Sequence, residues 1–156
     1  MKNIHIRTAK KSDIKNILQT FAMWHKSKKQ FVDYLVKQDR GESVLIIALT
    51  TKNKIVGYAN LFWQSRISQH REQFIPEIVD LNVITEYQRK GIANQLINYI
   101  EQVVLGKFFP SVGIAVEPTK EYFPAEQLYQ KLRYIKDGIV FLSNGTRVWA
   151  LKKELR

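Results

Sequence analysis

The spacing of apolar residues predicts strands and helices from the start of the chain. Ile4 and Ile6 alternate with His5 and Arg7, which indicates a short first strand. Apolar residues then recur every three or four positions in two successive segments, the second of which stops before Asp39. The first quarter of the sequence is therefore predicted to fold as a strand followed by two helices.

A hairpin and a strand–helix–strand unit are predicted for the middle of the chain, and a helix and a second hairpin for its end. The predicted elements are, in order, a strand over 43–50, a turn over 51–54, a strand over 55–64, a polar loop over 65–73, a strand over 77–83, a helix over 91–104, a strand over 111–116, a helix over 124–134, and a hairpin of 139–142 with 147–151.

This order of elements implies a crossover connection, because a β-α-β unit joins two strands that run in parallel. The expected fold class is α/β (α+β), with a mixed, mostly antiparallel central sheet around that β-α-β crossover. No linker, repeat or low-complexity segment divides the sequence, so residues 1–156 are expected to form a single domain.

Composition removes several kinds of chemistry. The chain has no cysteine, which excludes disulfides, zinc–thiolate sites and a cysteine nucleophile. The histidines His5, His25 and His70 are isolated and lack the spacing of metal ligands, so no metal site is expected. The first residues lack the apolar stretch of a signal peptide, and the longest apolar run, Val44 to Leu49, is too short for a membrane span. A cytoplasmic location without membrane attachment is the expectation.

The formal charge of +11 favours anionic partners, which include nucleic acid, acidic proteins and phosphorylated cofactors. The cationic residues are scattered along the sequence and form no long basic run, so nucleic acid is not the favoured partner. A basic nucleic-acid or ribosome-binding module is the alternative that the charge supports, together with tryptophans near lysines.

The loop between the fourth predicted strand and the following helix has the features of an anion site. It brings Arg89, Lys90 and Gly91 to the start of a helix, where free backbone N–H groups and the helix dipole favour a phosphate. The glycine also has a simpler explanation, since strand-to-helix turns often need one for their geometry alone. The loop matches neither the Walker phosphate loop nor the dinucleotide-binding glycine pattern.

The segment Gln88-Arg-Lys-Gly-Ile-Ala93 resembles the pyrophosphate loop of the GNAT family of N-acetyltransferases, and the order of elements resembles that family's fold over nearly the whole chain. The resemblance implies acetyl-CoA as co-substrate. It implies that the backbone of Leu81, Asn82 and Val83 pairs with the pantetheine arm, and that the loop and the first helical turn hold the pyrophosphate. The residues of that pyrophosphate site are Gln88, Arg89, Lys90, Gly91, Ile92, Ala93 and Asn94.

The resemblance also implies residues for the chemistry. The segment 124–134 resembles a family helix whose tyrosine protonates the coenzyme A thiolate, and that residue here is Tyr129; Arg133 stands where the family usually has glycine. Glu77 lies where one branch of the family places a catalytic base, and a water is the alternative base. Asp80 competes with Glu77, but strand alternation places the two on opposite faces.

An amine acceptor is expected between the two early helices and the loop after the first hairpin. The candidates there are Trp24, Phe31, Tyr34, Trp63 and Arg66, although ordinary core packing also explains each aromatic residue. The predicted function is the transfer of an acetyl group from acetyl-CoA to a primary amine of a small molecule, peptide or protein. A non-catalytic acyl-CoA sensor is a second alternative, and a homodimer is compatible with the closing strands.

Overall fold

The computed structural model describes residues 3–24 and 26–156, so His25 lies outside the described residues. Its strands are β1 (His5–Thr8), β2 (Ser43–Leu49), β3 (Ile55–Phe62), β4 (Glu77–Val83), β5 (Ser111–Val116), β6 (Ile135–Phe141) and β7 (Arg147–Glu154). Its α-helices are α1 (Ile14–Phe21), α2 (Lys28–Asp39), α3 (Ser68–Glu72), α4 (Ile92–Gly106) and α5 (Phe123–Lys131).

The seven strands form one mixed sheet in the order β1-β2-β3-β4-β5-β7-β6. Strands β4 and β5 are parallel, whereas β1 with β2, β5 with β7, and β6 with β7 are antiparallel. The parallel pair is joined through α4, which is the predicted β-α-β crossover. The predicted fold class is therefore confirmed.

The chain divides into two compact units, and β4 contributes to both. The first unit contains residues 1–61 and 80–100. Its core is built by the apolar stripe of α1, by α2 and by the inner strands β2 and β3, whose residues are almost all buried. The side chain of Ser27 caps α2 by accepting a hydrogen bond from the Gln30 N–H, at 3.1 Å.

The second unit contains residues 62–79 and 101–156. One of its apolar clusters joins Ile67, Leu142, Val148 and Ala150. Buried polar groups also tie the unit together: the His70 ring is fully buried, and its Nε2 lies 2.9 Å from the Asp137 carboxylate. Gly113 leaves the room for that ring, because a Cβ there would lie 2.7 Å from His70 Nδ1.

Four elements differ clearly from the prediction, and one of them is β7, which ends at Glu154 rather than at 151. The expected loop 65–73 contains the short helix α3. Helix α5 ends at Lys131 because Arg133 adopts a left-handed conformation (φ 75°), and the Tyr134 N–H then returns to the Tyr129 carbonyl. Strand β6 begins at Ile135, well before the predicted start. The sequence did not indicate this earlier start, because most residues of β6 are exposed and its apolar pattern is weak. None of the described helices has the length and apolar character to cross a membrane.

Candidate functional site

The loop from β4 to α4 has the backbone conformation of an anion-binding turn. A single 3-10 turn (Thr85–Tyr87) follows the strand, and then Arg89 and Gly91 adopt positive φ angles of 62° and 81°. The Gln88 side chain ties this loop to the end of β4 by donating to the Val83 carbonyl at 2.9 Å. All residues from Gln88 to Gly91 are exposed.

The first turn of α4 presents its backbone donors at this loop. The helical hydrogen bonds begin with the Gln95 N–H, which donates to the Gly91 carbonyl at 3.0 Å. The N–H groups of the three preceding residues, 92–94, have no acceptor within the helix. A Cβ on Gly91 would meet nothing within 4 Å, and the buried Asn94 Oδ1 has no hydrogen-bond partner. This arrangement suits a phosphate or pyrophosphate group.

The strand segment predicted to pair with the cofactor, Leu81 to Val83, lies in β4 beside β3. Strand β3 approaches closely there, because Gly57 has no side chain and a Cβ would come within 3.1 Å of the Asn82 carbonyl oxygen. The pairing of these residues with pantetheine remains a prediction.

Asp80 breaks the regular alternation of β4. Its φ angle is 57°, a conformation that is uncommon for a residue other than glycine. Strand alternation therefore does not decide which carboxylate of β4 faces a substrate. The Asp80 carboxylate instead accepts hydrogen bonds from five described side chains, which form the Asp80 cluster. They are Tyr58 of β3, Asn82 of β4, Gln30 and Tyr34 of α2, and Lys26, which precedes the N-cap residue of α2.

Three of the five predicted acceptor residues lie in the first unit, with the aromatic rings that surround this cluster. Phe31 packs edge-to-face on Tyr34 and Tyr58, with ring centroids 6.0 and 5.2 Å apart. Trp24 packs on Phe21 at 5.4 Å, and Phe21 packs on Tyr58 at 5.0 Å. Phe31 is fully buried and is a core residue, whereas Trp24 and Tyr34 are partly exposed.

The other two predicted acceptor residues, Trp63 and Arg66, belong to the second unit. Trp63 stacks on Phe109 with ring centroids 5.5 Å apart. Arg66 pairs with Glu77, whose carboxylate is fully buried and receives the Arg66 Nη2 at 2.6 Å and the Arg66 backbone N–H at 2.8 Å. The Ser65 hydroxyl donates to the same carboxylate at 3.2 Å. Glu77 is thus held by a nearly complete set of donors.

Tyr129 lies on α5 in the second unit, and its side chain is largely buried. Burial raises the pKa of Tyr129 to about 12. Its ring contacts that of Tyr134, with centroids 6.3 Å apart. Within residues 3–24 and 26–156 its hydroxyl makes no hydrogen bond, whereas the Tyr134 hydroxyl donates to Glu101 at 2.8 Å. Tyr129 is therefore protonated at neutral pH and has a donor that no described protein group uses.

Lys26, Gln30 and Tyr58 contact Asp80 but are not among the site residues predicted from the sequence. A signal exists for Gln30, because Gln30 and Tyr34 are four residues apart in α2 and so share one helical face. Asp80 and Tyr58 each stand in an apolar strand. A partly buried carboxylate in such a strand needs partners, and the polar residues of α2 and Lys26 before it supply several of them.

A cavity of about 650 Å³ lies elsewhere in the first unit, along α1 and the β2–β3 turn. Its lining includes Lys15, Lys54 and Glu86 and none of the predicted site residues, so we do not assign the chemistry to it. The described parts of the chain contain no group of three or more histidine, cysteine, aspartate or glutamate residues that could hold a metal ion.

Comparison with known proteins gives a family match and similar folds. The profile of the acetyltransferase (GNAT) family matches residues 11–134, whereas no curated protein matches the sequence. An N-acetyltransferase from Staphylococcus aureus superposes with a TM-score of 0.77 at 17% identity, over 99% of this chain and 100% of that chain.

Two further solved structures are similar. The ribosomal-protein-S18-alanine N-acetyltransferase from Escherichia coli has a TM-score of 0.73 at 13% identity, over 97% of this chain and 94% of that chain. The spermidine/spermine N-acetyltransferase SpeG from Vibrio cholerae has a TM-score of 0.71 at 17% identity, over 98% and 93%. These likenesses show the fold, and the family match extends over well more than half of the sequence. The chain therefore belongs to the GNAT family of acetyltransferases.

Proposed function

We propose that this protein transfers the acetyl group of acetyl-CoA to a primary amine by direct attack. The amine loses a proton and its nitrogen bonds to the acetyl carbonyl carbon. The bond from that carbon to sulfur breaks, and the departing thiolate takes up a proton. The reaction therefore needs an anchor for the cofactor, an acceptor for the amine proton and a donor for the thiolate.

The loop from Gln88 to Asn94 carries this proposal. Arg89 and Gly91 have left-handed backbone conformations and directly precede the 15-residue helix α4. The N–H groups of the first turn of α4 have no acceptor within the helix. A pyrophosphate placed there would accept from those groups and would lie at the positive end of the helix dipole. The cationic side chains of Arg89 and Lys90 add to the attraction.

Tyr129 is our candidate for the proton donor to the thiolate. Its raised pKa keeps the hydroxyl protonated at neutral pH, and no described protein group competes for that proton. A phenol with a pKa of about 12 is a weak acid toward an ordinary thiolate. The pKa values of the phenol and of the coenzyme A thiol lie closer together in a site that excludes water, because burial raises the pKa of a thiol too.

For the base, the contacts of Glu77 favour a water. Both Glu77 oxygens already accept hydrogen bonds, from Ser65 and from the backbone and side chain of Arg66. A direct proton transfer from the acceptor amine would have to displace part of that set. We therefore propose that water takes the amine proton and that Glu77 positions Arg66.

Two glycine variants test the cofactor site with matched backbone strain. Gly91 and Gly41 have φ angles of 81° and 75°, and a Cβ on either one would meet nothing within 4 Å. Alanine at either position should therefore cost a similar amount of stability, about 1–2 kcal/mol. Calorimetric titration with acetyl-CoA should show at least a roughly tenfold weaker Kd for Gly91→Ala and an unchanged Kd for Gly41→Ala.

The titration also identifies failure of the proposal. If the wild-type protein shows no binding of acetyl-CoA, the proposed function is wrong. If acetyl-CoA binds and both alanine variants bind it as tightly as the wild type, the cofactor lies away from the Gln88–Asn94 loop.

A further inference from the structure

The Asp80 carboxylate accepts hydrogen bonds from several described side chains of the first unit. Its Oδ2 accepts from the Tyr34 hydroxyl at 2.9 Å, the Tyr58 hydroxyl at 3.0 Å and Gln30 Nε2 at 3.1 Å. Its Oδ1 accepts from Asn82 Nδ2 at 2.7 Å. These four neutral donors hold the carboxylate in place and leave its negative charge without compensation.

Lys26 supplies the compensating charge. Its Nζ lies 3.1 Å from Asp80 Oδ1 and 6.0 Å from the centre of the Tyr58 ring. The two charged side chains are 19% and 17% exposed, so the pair is sheltered but reachable from solvent. Within the described residues the Lys26 ammonium has no other partner. Among the described donors to Asp80, Lys26 is the one with a positive charge, and that charge lies at the end of a flexible four-carbon side chain.

The Lys26 side chain is itself a linear primary alkylamine. Its ammonium group contacts the Asp80 carboxylate, and aromatic side chains lie beside that carboxylate. Burial, followed by the Asp80 charge, raises the pKa of Tyr58 well above its usual range, so the hydroxyl stays a donor to Asp80. The aromatic side chains of Phe31 and Tyr34 add apolar surface next to Tyr58. An alkyl chain fits such walls, and its ammonium fits the carboxylate.

The position of Asp80 in β4 relates this pair to the proposed reaction. Asp80 directly precedes Leu81 to Val83, the segment proposed to bind the pantetheine arm. An amine bound to Asp80 would thus lie next to the segment of β4 that is proposed to bind pantetheine. The left-handed backbone of Asp80 aims its carboxylate at α2, whose N-terminal region supplies Lys26 and Gln30.

We infer that Asp80 binds the ammonium group of the acceptor, a linear primary alkylamine, and that Lys26 occupies this place until the acceptor displaces it. The inference rests on the proposed acetyl transfer and adds the class of acceptor to it. Asp80 binds the charged form of the amine, whose proton is released before the nitrogen attacks. Lys26 acts as an internal competitor for the acceptor.

Steady-state rates with n-butylamine as acceptor test this inference. Asp80→Asn keeps the shape and most hydrogen bonds but removes the charge, so KM for n-butylamine should rise roughly ten- to hundredfold. Lys26→Met removes the competitor and should lower that KM by up to about fivefold, the worth of a partly exposed ion pair. Neither variant should change the Kd for acetyl-CoA.

Lys29→Met is the matched control. Lys29 lies three residues from Lys26 and pairs with Asp33 at 2.8 Å on the exposed surface, away from Asp80. It should leave KM for n-butylamine unchanged. An unchanged KM in Asp80→Asn, or a raised KM in Lys26→Met, would overturn the inference.

A direct binding measurement separates this inference from the proposed function and does not depend on the folding of Asp80→Asn. Thermal melting without acetyl-CoA should show that n-butylammonium stabilises Lys26→Met more than the wild type, and the Lys29→Met variant no more than the wild type. Equal shifts in all three proteins would refute the inference even if acetyl-CoA binds. Absence of acetyl-CoA binding, with the expected n-butylammonium shifts, would refute the proposed function alone.

Discussion

Replacement of Tyr129 by phenylalanine removes one oxygen atom that makes no hydrogen bond to a described protein group. The ring and its packing on Tyr134 remain, so the free energy of unfolding should change by no more than about 0.5 kcal/mol. If the hydroxyl protonates the thiolate, kcat should fall about 10²–10⁴-fold, which corresponds to about 2.7–5.4 kcal/mol in the activation free energy. The Tyr129→Phe variant should thus lose activity and keep its stability.

The neighbouring Tyr134 provides the opposite case. Its hydroxyl donates to the Glu101 carboxylate at 2.8 Å, and Lys153 Nζ also contacts that carboxylate at 3.0 Å. Tyr134→Phe removes a hydrogen bond to a charged group, which costs about 1.5–3 kcal/mol and lowers Tm by roughly 3–12 °C. Its kcat should remain within about twofold of the wild type, because Tyr134 has no proposed role in the reaction.

Thiol release at saturating acetyl-CoA and acceptor measures kcat, and thermal melting measures stability. Because burial raises the pKa of Tyr129 to about 12, the wild-type kcat should show no fall due to this residue between pH 7 and 10. A Tyr129→Phe variant with wild-type kcat would refute the proposed acid. Equal losses of kcat in both variants would show that the loss comes from the packing of the two rings.

Three further predictions concern groups outside the cofactor loop. Glu77→Gln should lose about 1–3 kcal/mol of stability in urea denaturation because it breaks the pair with its arginine partner, yet kcat should fall less than about tenfold. A fall above a hundredfold in the folded variant would make Glu77 the base. Gly113→Ala should cost about 1–3 kcal/mol, measured by the same denaturation, because its Cβ would lie 2.7 Å from His70 Nδ1; unchanged stability would contradict the packing described. The hydrogen bond from Arg7 lowers the pKa of Asp13, so the folded protein binds its proton less readily than the unfolded chain. That stabilisation is complete above the unfolded pKa of about 3.9 and is lost as pH falls through the lower folded pKa, so the Tm advantage of the wild type over Asp13→Asn should shrink as the solution is acidified; a Tm advantage that does not shrink with falling pH would contradict this linkage.

The elements near the centre of the sheet were predictable because their sequences carry strong periodic signals. Strand β4 was predicted with the bounds that the structure has, and α4 within two residues at each end. Both elements bury apolar residues at the spacing of their secondary structure. The β4–α4 loop was predictable for the same reason, since a short basic segment with a glycine separates two strong patterns.

The details of the candidate site depend on partners that are distant in sequence. The left-handed conformation of Asp80 is stabilised by donors up to 54 residues away, so the local pattern of β4 predicts plain alternation. The burial of Glu77 likewise depends on Arg66, which comes from the segment predicted as a polar loop. Strand β6 lacked a signal because five of its seven residues, including Ile135 and Phe141, are exposed.

We propose above that this protein transfers the acetyl group of acetyl-CoA to the amine of a separate acceptor molecule. The most direct test of this proposal is mass-spectrometric detection of N-acetylated product, alongside thiol release, over a panel of alkylamines, polyamines and peptide N-termini. We expect an acetylated alkylamine formed in a one-to-one ratio with free coenzyme A, and no thiol release above background without an acceptor. Tight binding of acetyl-CoA with no acetylated product from any amine would contradict it and would identify a sensor.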